Sequence, residues 1–491
     1  MKALFVCKGE LRYWYPHIAA ELKRTYGWDV DAVTFNTPSV EVVRRPGAFA
    51  AVYNLAEHLK TFYPRHKLAE CVDSLEEFER DTGLNAYTLL YSDRILRDYP
   101  YERAVRLLAG VYDFWRTVLP EVGPNVLFGE IATATEWVGS ALAPRYRVRP
   151  LVTYPTPVAA RFFFIDRAVG MWEPMRRAYH AARDSELPPD KAARAADWLD
   201  AFHREKLKAP YLKAGSRSPF RIDLGRLVRR VGRIPFRVRT YLQDGFFEIG
   251  SYHGTHPLAS VWANVAGMYR YAVGRGFVFR RAVTADKYVY FPLHVQPEYT
   301  TDVRAPFFTN QVALIENIAK TLPVGYRLVV KEHPGMQGDR PLAYYREINR
   351  LFNVELVSPA LDSHDLIVNA AAVVTITGTS AWEAILYQKP AVVFGDLCYG
   401  FYDLTHHCPD VRDFPRVIRE AVADKRPNRE LLLKFVSALL ETAHEGTINN
   451  PVAAAEVNSP ANLARLARAV VRETGRDEHP ADRRAVGPVL K

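Results

Sequence analysis

Short apolar runs alternate with stretches whose apolar residues recur every three or four positions. In the first third the runs are "KALFVCK" (2–8), "VDAVTF" (30–35), "AVYNL" (51–55), "NVLFGE" (125–130), "PLVTYP" (150–155) and "RFFFID" (161–166). Each reads as a buried strand. Between them, Ile18, Ala19 and Leu22 share one helical face, and so do Val105, Leu108, Val111 and Trp115. A further helix is predicted from about Thr133. Strand–helix alternation of this kind predicts a parallel, doubly wound sheet.

The pattern changes over residues 167–285. "PPDKAARAADWLDAFHREKL" (188–207) opens a helix at Pro189-Asp190, and another is predicted around Trp262–Tyr271. A second alternating series then begins. Its strands are "KYVYFPLH" (287–294), "YRLVVKEH" (326–333), "VELVS" (354–358), "VVTITG" (373–378) and "AVVFG" (391–395). Leu314, Ile315, Ile318, Ala319 and Leu322 mark a helix between the first two. Ser459-Pro460 supplies an N-cap and a first-turn proline for a last helix. The expectation is an α/β chain of two Rossmann-like domains with parallel sheets. Residues 1–285 form the first, carrying a helical and basic insertion at about 167–285. Residues 286–455 form the second, 456–474 a helix packing back, and 475–491 a flexible tail. A length of 491 residues agrees, being too long for one core.

Composition adds three points. At 48% hydrophobic and 24% charged residues, with no apolar run near the ~20 needed to cross a bilayer, the chain reads as soluble. Its start, "MKALFVCKGELRYWYP", has an apolar core too short for a signal peptide, which predicts a cytoplasmic protein. Cys7, Cys71, Cys398 and Cys408 form no C-x-x-C pair, so neither a disulfide framework nor a zinc site is expected.

The net charge of +10 is concentrated. Residues 213–239 hold nine Lys or Arg and one acid, Asp223. Their alternation with Leu, Val, Ile and Phe suits an anionic membrane surface, with Arg226, Arg229, Arg230 and Arg233 as its centre. A solvated connector has the same composition. No nucleic-acid-binding module is present in the stretch, so nucleic acid is not expected as a partner.

Candidate chemistry gathers at three strand ends of the second domain, which a parallel sheet brings to one edge. "FPLHVQPE" offers His294 and Glu298. "VVKEHPG" offers Lys331, His333, Pro334 and Gly335. In "TGTSAWEAILYQKP" a strand ends at Gly378, Thr379 and Ser380 follow as helix caps, and Glu383 sits one turn in. Free amides and the helix dipole at such an end favour an anion, and a glycine lets a phosphate approach. Each residue alone has an ordinary reading: plain caps, a core histidine, a helix-start charge. Together they describe a nucleotide site.

"VVKEHPG" followed by "TITGTSAWEAILYQKPAVVFGDLCYG" resembles the capsule polysaccharide biosynthesis glycosyltransferases, which include enzymes that transfer Kdo from its CMP-activated form. The resemblance covers about residues 290–400. It implies a GT-B fold, with a nucleotide-sugar donor held by His333 and Pro334, by Thr379 and Ser380, and by Glu383. Where the family reads P-L-Q with an acid a few residues on, this chain has His294 and Glu298. The resemblance further implies a glycan or lipid-linked glycan acceptor and a possible station on the inner leaflet.

Such an enzyme needs a base on the first domain to take the acceptor proton. Glu130, at a strand tip, leads the candidates, followed by His17 and Glu10. The one D-x-D, Asp29-Val30-Asp31, lies far in sequence from the nucleotide segments. No metal is expected, and no cofactor beyond the nucleotide-sugar substrate. Three other functions fit parts of the pattern: a UDP-sugar 2-epimerase, a CDP-glycerol-type polyol-phosphate transferase, and a non-catalytic scaffold of polysaccharide assembly.

Overall fold

A computed structural model describes residues 1–475 except 157, 159, 168–169, 208–233, 251–256, 337, 425–427 and 449–454. Arg226, Arg229, Arg230, Arg233 and the 475–491 tail beyond Gly475 lie outside the described residues.

The strands form two sheets. The first contains β1 (Lys2–Val6), β2 (Asp29–Thr34), β3 (Val52–Asn54), β4 (Val126–Gly129), β5 (Arg149–Pro155) and β6 (Arg161–Ile165). The second contains β7 (Tyr288–Pro292), β8 (Arg327–Lys331), β9 (Val354–Val357), β10 (Ala372–Thr375), β11 (Ala391–Val393) and β12 (Thr405–His407). A short β13 (His444–Glu445) returns to the first sheet. The orders are β3-β2-β1-β4-β5-β6-β13 and β9-β8-β7-β10-β11-β12. Each reverses direction once, between β1 and β4 and between β7 and β10. The crevice outside the strands' carboxyl ends at such a reversal is where ligands bind in open α/β sheets.

The second sheet is wholly parallel. The first is not, contrary to expectation. β6 runs antiparallel to β5, and β13 antiparallel to β6. Only a few residues separate β5 from β6, too few for the crossover that a parallel neighbour requires.

Packing follows from the apolar faces. In the first domain Trp115, fully buried, donates its indole N–H to the Thr135 carbonyl at 2.7 Å. It lies so close to the helix Ala134–Leu142 that a Cβ on Gly139 would meet its ring at 2.5 Å. That helix starts with a reciprocal cap between Thr133 and Glu136.

The helices Glu173–Arg183 and Pro189–Glu205 were expected to elaborate the first domain, but they lie on the second. Tyr179 donates to Asp403 at 2.9 Å, and Trp172 N–H to the Cys398 carbonyl at 2.8 Å. His203 Nε2 is 2.9 Å from the Leu386 carbonyl. The Tyr179 ring packs on Phe401, Tyr402 and Phe435.

The expected limit of the second domain at 455 also moves. After the helix Arg429–Thr442 the chain has already crossed back, and β13 pairs with β6. The helix Pro460–Thr474 follows, with Arg149 bonded to the Glu473 carbonyl at 2.7 Å and to its carboxylate at 3.1 Å. Ser459 caps it through Asn462 N–H. All four cysteines are buried and free.

Candidate active site

The carboxyl edges of both sheets line one cleft of ≈ 1790 Å³. From the first sheet come Glu10 after β1, Glu130 after β4 and Thr153–Thr156 along the end of β5. From the second come the segments following β7, β8, β9 and β10.

The turn after β10 is built from within. Gly378, in extended conformation, is the N-cap of the helix Thr379–Leu386. Thr379 and Ser380 are therefore the first two helical residues and not caps, a correction to the expected arrangement. The helix has no side-chain cap. Its leading amides thus open toward the cleft, with Thr379, Ser380 and Glu383 in the lining. Ser380 Oγ is buried and has no hydrogen-bond partner among the described residues. A Cβ on Gly378 would meet Thr375 Oγ1 at 2.8 Å and His294 Nε2 at 2.9 Å, so glycine is required by contact and not by φ, which is −73°.

His294 follows β7 and is buried. Its Nε2 is 2.9 Å from Thr375 Oγ1 and accepts from Thr377 N–H at 3.4 Å. Thr375 Oγ1 in turn accepts from Gly378 N–H at 3.1 Å. Gln311 brackets the same residue, accepting from His294 N–H at 2.8 Å and donating to its carbonyl at 3.2 Å. Burial, with His333 and Arg340 nearby, pushes the imidazole pKa down to about 3. The ring is neutral, and its accepting Nε2 places the proton on Nδ1. Thus His294 reaches the cleft wall chiefly as a strut between β7 and β10.

His333 follows β8. Gly335 N–H donates to its Nδ1 at 3.0 Å, so Nε2 carries the proton. Burial, then Lys331 and Arg340, hold its pKa at about 4. A neutral donor results, on a turn fixed by Pro334 and lining the cleft. Lys331 Nζ donates to Ser363 Oγ at 2.7 Å, which joins the ends of β8 and β9. Glu332 points the other way. It accepts from His333 N–H at 2.6 Å and Tyr345 OH at 2.7 Å, and pairs with Arg340 Nε at 3.0 Å. Burial raises its pKa against the pull of Arg340.

Glu298 lies in the same wall and accepts from Thr300 Oγ1 at 2.8 Å. Burial raises its carboxyl, and both Asp302 and Glu130 add to the rise. The last and smallest of these contributions comes from the first-domain wall of the cleft.

Two of the three candidate bases, Glu130 and Glu10, are in the cleft. His17 is not. It is exposed on the helix Tyr15–Tyr26, whose Tyr15, Ile18, Ala19 and Leu22 take the buried face. At about 100° per residue His17 lies roughly opposite both Tyr15 and Ala19, and so it points away from the buried face.

Several lining residues were not anticipated. Arg94, Arg161 and Arg281 bring cations, and the 358–363 turn brings Asp362 and Ser363. The "SPALDS" string is a turn pattern at a strand end and carried that signal. The arginines carried none, because nothing local distinguishes them from surface arginines. Behind the first-domain wall Lys8, Thr133, Thr135 and Glu136 form a buried cluster, with Lys8 paired to Glu136. Asp93 holds the Ala134 amide at 3.0 Å beside it.

The D-x-D lies apart. Asp31 is buried against Lys2 at 3.2 Å and Ala51 N–H at 2.8 Å, while Asp29 is exposed at the amino end of β2. Among the described residues no group of three or more His, Cys, Asp or Glu is arranged to hold a metal ion.

A family model described as capsule polysaccharide biosynthesis protein matches residues 270–432. The matched region is about a third of the chain. It contains β7 to β12 and every second-domain segment of the cleft wall described above. Among curated proteins, Protein FixF of Sinorhizobium fredii (strain NBRC 101917 / NGR234) is 29% identical over 229 residues, 41% of this chain and 53% of that protein. The chain thus spans about half the length of this relative. Among solved structures, the β-Kdo 2,7 transferase of Thermosulfurimonas dismutans KpsC aligns at 13% identity and a TM-score of 0.37, over 72% of this chain and 89% of that one. The β-Kdo 2,4 transferase of the same KpsC aligns at 11% and 0.38, over 71% and 87%. A UDP-GlcNAc 2-epimerase from Methanocaldococcus jannaschii aligns at 11% and 0.26, over 90% and 99%. The fold rests on the two strand orders and not on these superpositions.

Proposed function

We propose that the protein is a glycosyltransferase of capsule or surface polysaccharide synthesis. It moves a sugar from a nucleotide-activated donor, a CMP-sugar of the Kdo type by preference, to a glycan or lipid-linked glycan acceptor. One observation carries the reading. The uncapped amino end of the helix Thr379–Leu386, at the reversal point of the second sheet, shares a cleft with the Glu130 carboxylate of the first.

The chemistry follows from charge. As the bond from anomeric carbon to phosphate oxygen breaks, negative charge collects on the leaving nucleotide. The helix amides, Ser380 Oγ and the neutral His333 Nε2–H stabilise it, with Lys331 as the nearby cation. Glu383 suits sugar hydroxyls better than phosphate. Glu130 takes the proton of the acceptor hydroxyl that forms the new glycosidic bond. Glu10, on the same wall, is the second candidate for that role.

Incubation with CMP-Kdo and a capsular oligosaccharide tests the reading. CMP release coupled to acceptor elongation supports it. Release of a free epimer, transfer of glycerol phosphate from CDP-glycerol, or no turnover with any activated donor rejects it.

A further inference from the structure

Two helices outside both sheets expose apolar stripes. On Pro257–Phe277, Trp262 is 73% exposed, Val265 53%, Met268 63% and Tyr269 67%. Their spacing of three, three and one places them on one face. On Ile234–Asp244, Ile234, Val238 and Leu242 recur every fourth residue, and Leu242 is 76% exposed. The two helices contact each other. Isolated apolar side chains on a surface need no explanation, but exposed stripes on two helices in contact do.

Both helices are anchored on their inner faces. Asp244 accepts from Thr37 N–H at 2.8 Å, Thr37 Oγ1 at 2.6 Å and Lys60 Nζ at 2.7 Å, which pins the shorter helix to the first domain. The longer helix lies on the second. Gly267 packs so tightly on Gly338 that a Cβ at 338 would meet the Gly267 carbonyl oxygen, and Arg270 donates to the Asp339 carbonyl at 3.2 Å. Arg270, Tyr271 and Gly274, on this inner side, line the cleft. One helix therefore forms cleft wall on one side and an apolar surface on the other.

We infer that these stripes dock the protein on an anionic lipid surface, beside the cleft mouth. Trp and Tyr among aliphatic residues match the chemistry of the membrane interface. Charge agrees with that occupant. Arg237 and Arg239 on the shorter helix close the run of nine Lys or Arg within residues 213–239. A second copy of the chain would bring the same cations against themselves. Among the described residues no helix is long and apolar enough to cross a membrane, so the stripes lie in the interface. The docking surface stands on the two helices alone. Its service to a lipid-linked acceptor rests on the function proposed above.

The test is sedimentation of the full chain with vesicles of phosphatidylcholine, alone or mixed with phosphatidylglycerol. The wild type is expected to partition onto the anionic vesicles and to be released by salt. The triple variant Leu242→Ser, Trp262→Ser, Met268→Ser, changed only at exposed positions, is expected to lose about tenfold or more of that partitioning. Its thermal response to CMP should match the wild type's. Equal partitioning of variant and wild type overturns the inference. So does a wild-type dimer in solution that the same substitutions dissociate, since a second copy then covers the stripes. Loss of vesicle binding in a protein that answers to no nucleotide leaves the docking surface standing and removes the donor reading alone.

Discussion

His294 Nε2 lies 2.9 Å from Thr375 Oγ1, which ties β7 to β10 at the point where the order of the second sheet reverses. The threonine passes the tie to the Gly378 amide at 3.1 Å. Through these bonds one buried imidazole sets the turn from which the helix Thr379–Leu386 points into the cleft. Replacing His294 by alanine strands the Thr377 amide and the Thr375 hydroxyl. The expected cost is about 1–3 kcal/mol in urea unfolding. His294→Gln, whose amide oxygen can accept from both the Thr377 amide and the Thr375 hydroxyl, should recover most of it.

The same substitution has a pH signature. A histidine whose folded pKa lies near 3 binds fewer protons folded than unfolded at any pH between that value and its ordinary ~6.5. Its contribution to stability is complete above ~6.5 and falls as the solution is acidified, by about 1.4 kcal/mol per pH unit from this group. Glu298 and Glu332 have raised pKa values and act in the opposite sense. The informative quantity is therefore the difference between wild type and His294→Gln. Melts at pH 7 and pH 5 should show the wild type losing ground to the variant. A constant difference would mean that the ring is not buried in its neutral form.

Gly378→Ala tests the close approach. The added Cβ has no room between Thr375 Oγ1 and His294 Nε2, while the backbone at φ −73° tolerates alanine. The turn must shift, at about 1–3 kcal/mol. Nucleotide affinity should fall with it. A variant of unchanged affinity would place the phosphate elsewhere.

Arg340 and Glu332 form a buried pair at 3.0 Å, and Arg340 also reaches the His294 carbonyl. Arg340→Ala leaves a buried carboxylate without its cation, and about 3–5 kcal/mol is expected to be lost. Chemical denaturation measures it. Glu332→Gln with Arg340→Met should lose much less than Arg340→Ala.

Glu130→Gln separates binding from chemistry. As the acceptor base, Glu130 contributes about 10²–10⁴ in rate and little to donor affinity. Turnover of the activated sugar should fall by that factor while the thermal response to nucleotide stays. If Glu10→Gln shows the larger fall, the base is the neighbouring carboxylate.

The two-sheet architecture was legible because its strands are short, apolar and separated by helix-period segments. The runs at 2–8, 125–130, 287–294 and 326–333 all contain the strands found there. β13 is two residues long, and β12 reads "THH", so neither carries an apolar run to detect. The direction of β6 depends on a connection too short for a crossover, which the strand pattern alone does not display. In the cleft, the positions of the strand-tip residues were readable: His333, Ser380, Glu383 and Glu130 all line it. His17 was misplaced because sequence proximity to a strand end does not fix the helical face. The role of His294 as a strut depends on Thr375, 81 residues away, a distance that no local pattern spans.

The central claim is that a nucleotide phosphate sits on the amino end of the helix Thr379–Leu386, between Ser380 and His333. A thermal-shift panel with CMP, CDP, UDP, GDP and ADP, on wild type, His333→Ala and Gly378→Ala, tests it most directly. At about 100 times its dissociation constant a ligand adds ~2.7 kcal/mol of stability. The account predicts a shift with CMP that both substitutions reduce or abolish. A shift of equal size in all three proteins, or none with any nucleotide, would contradict it.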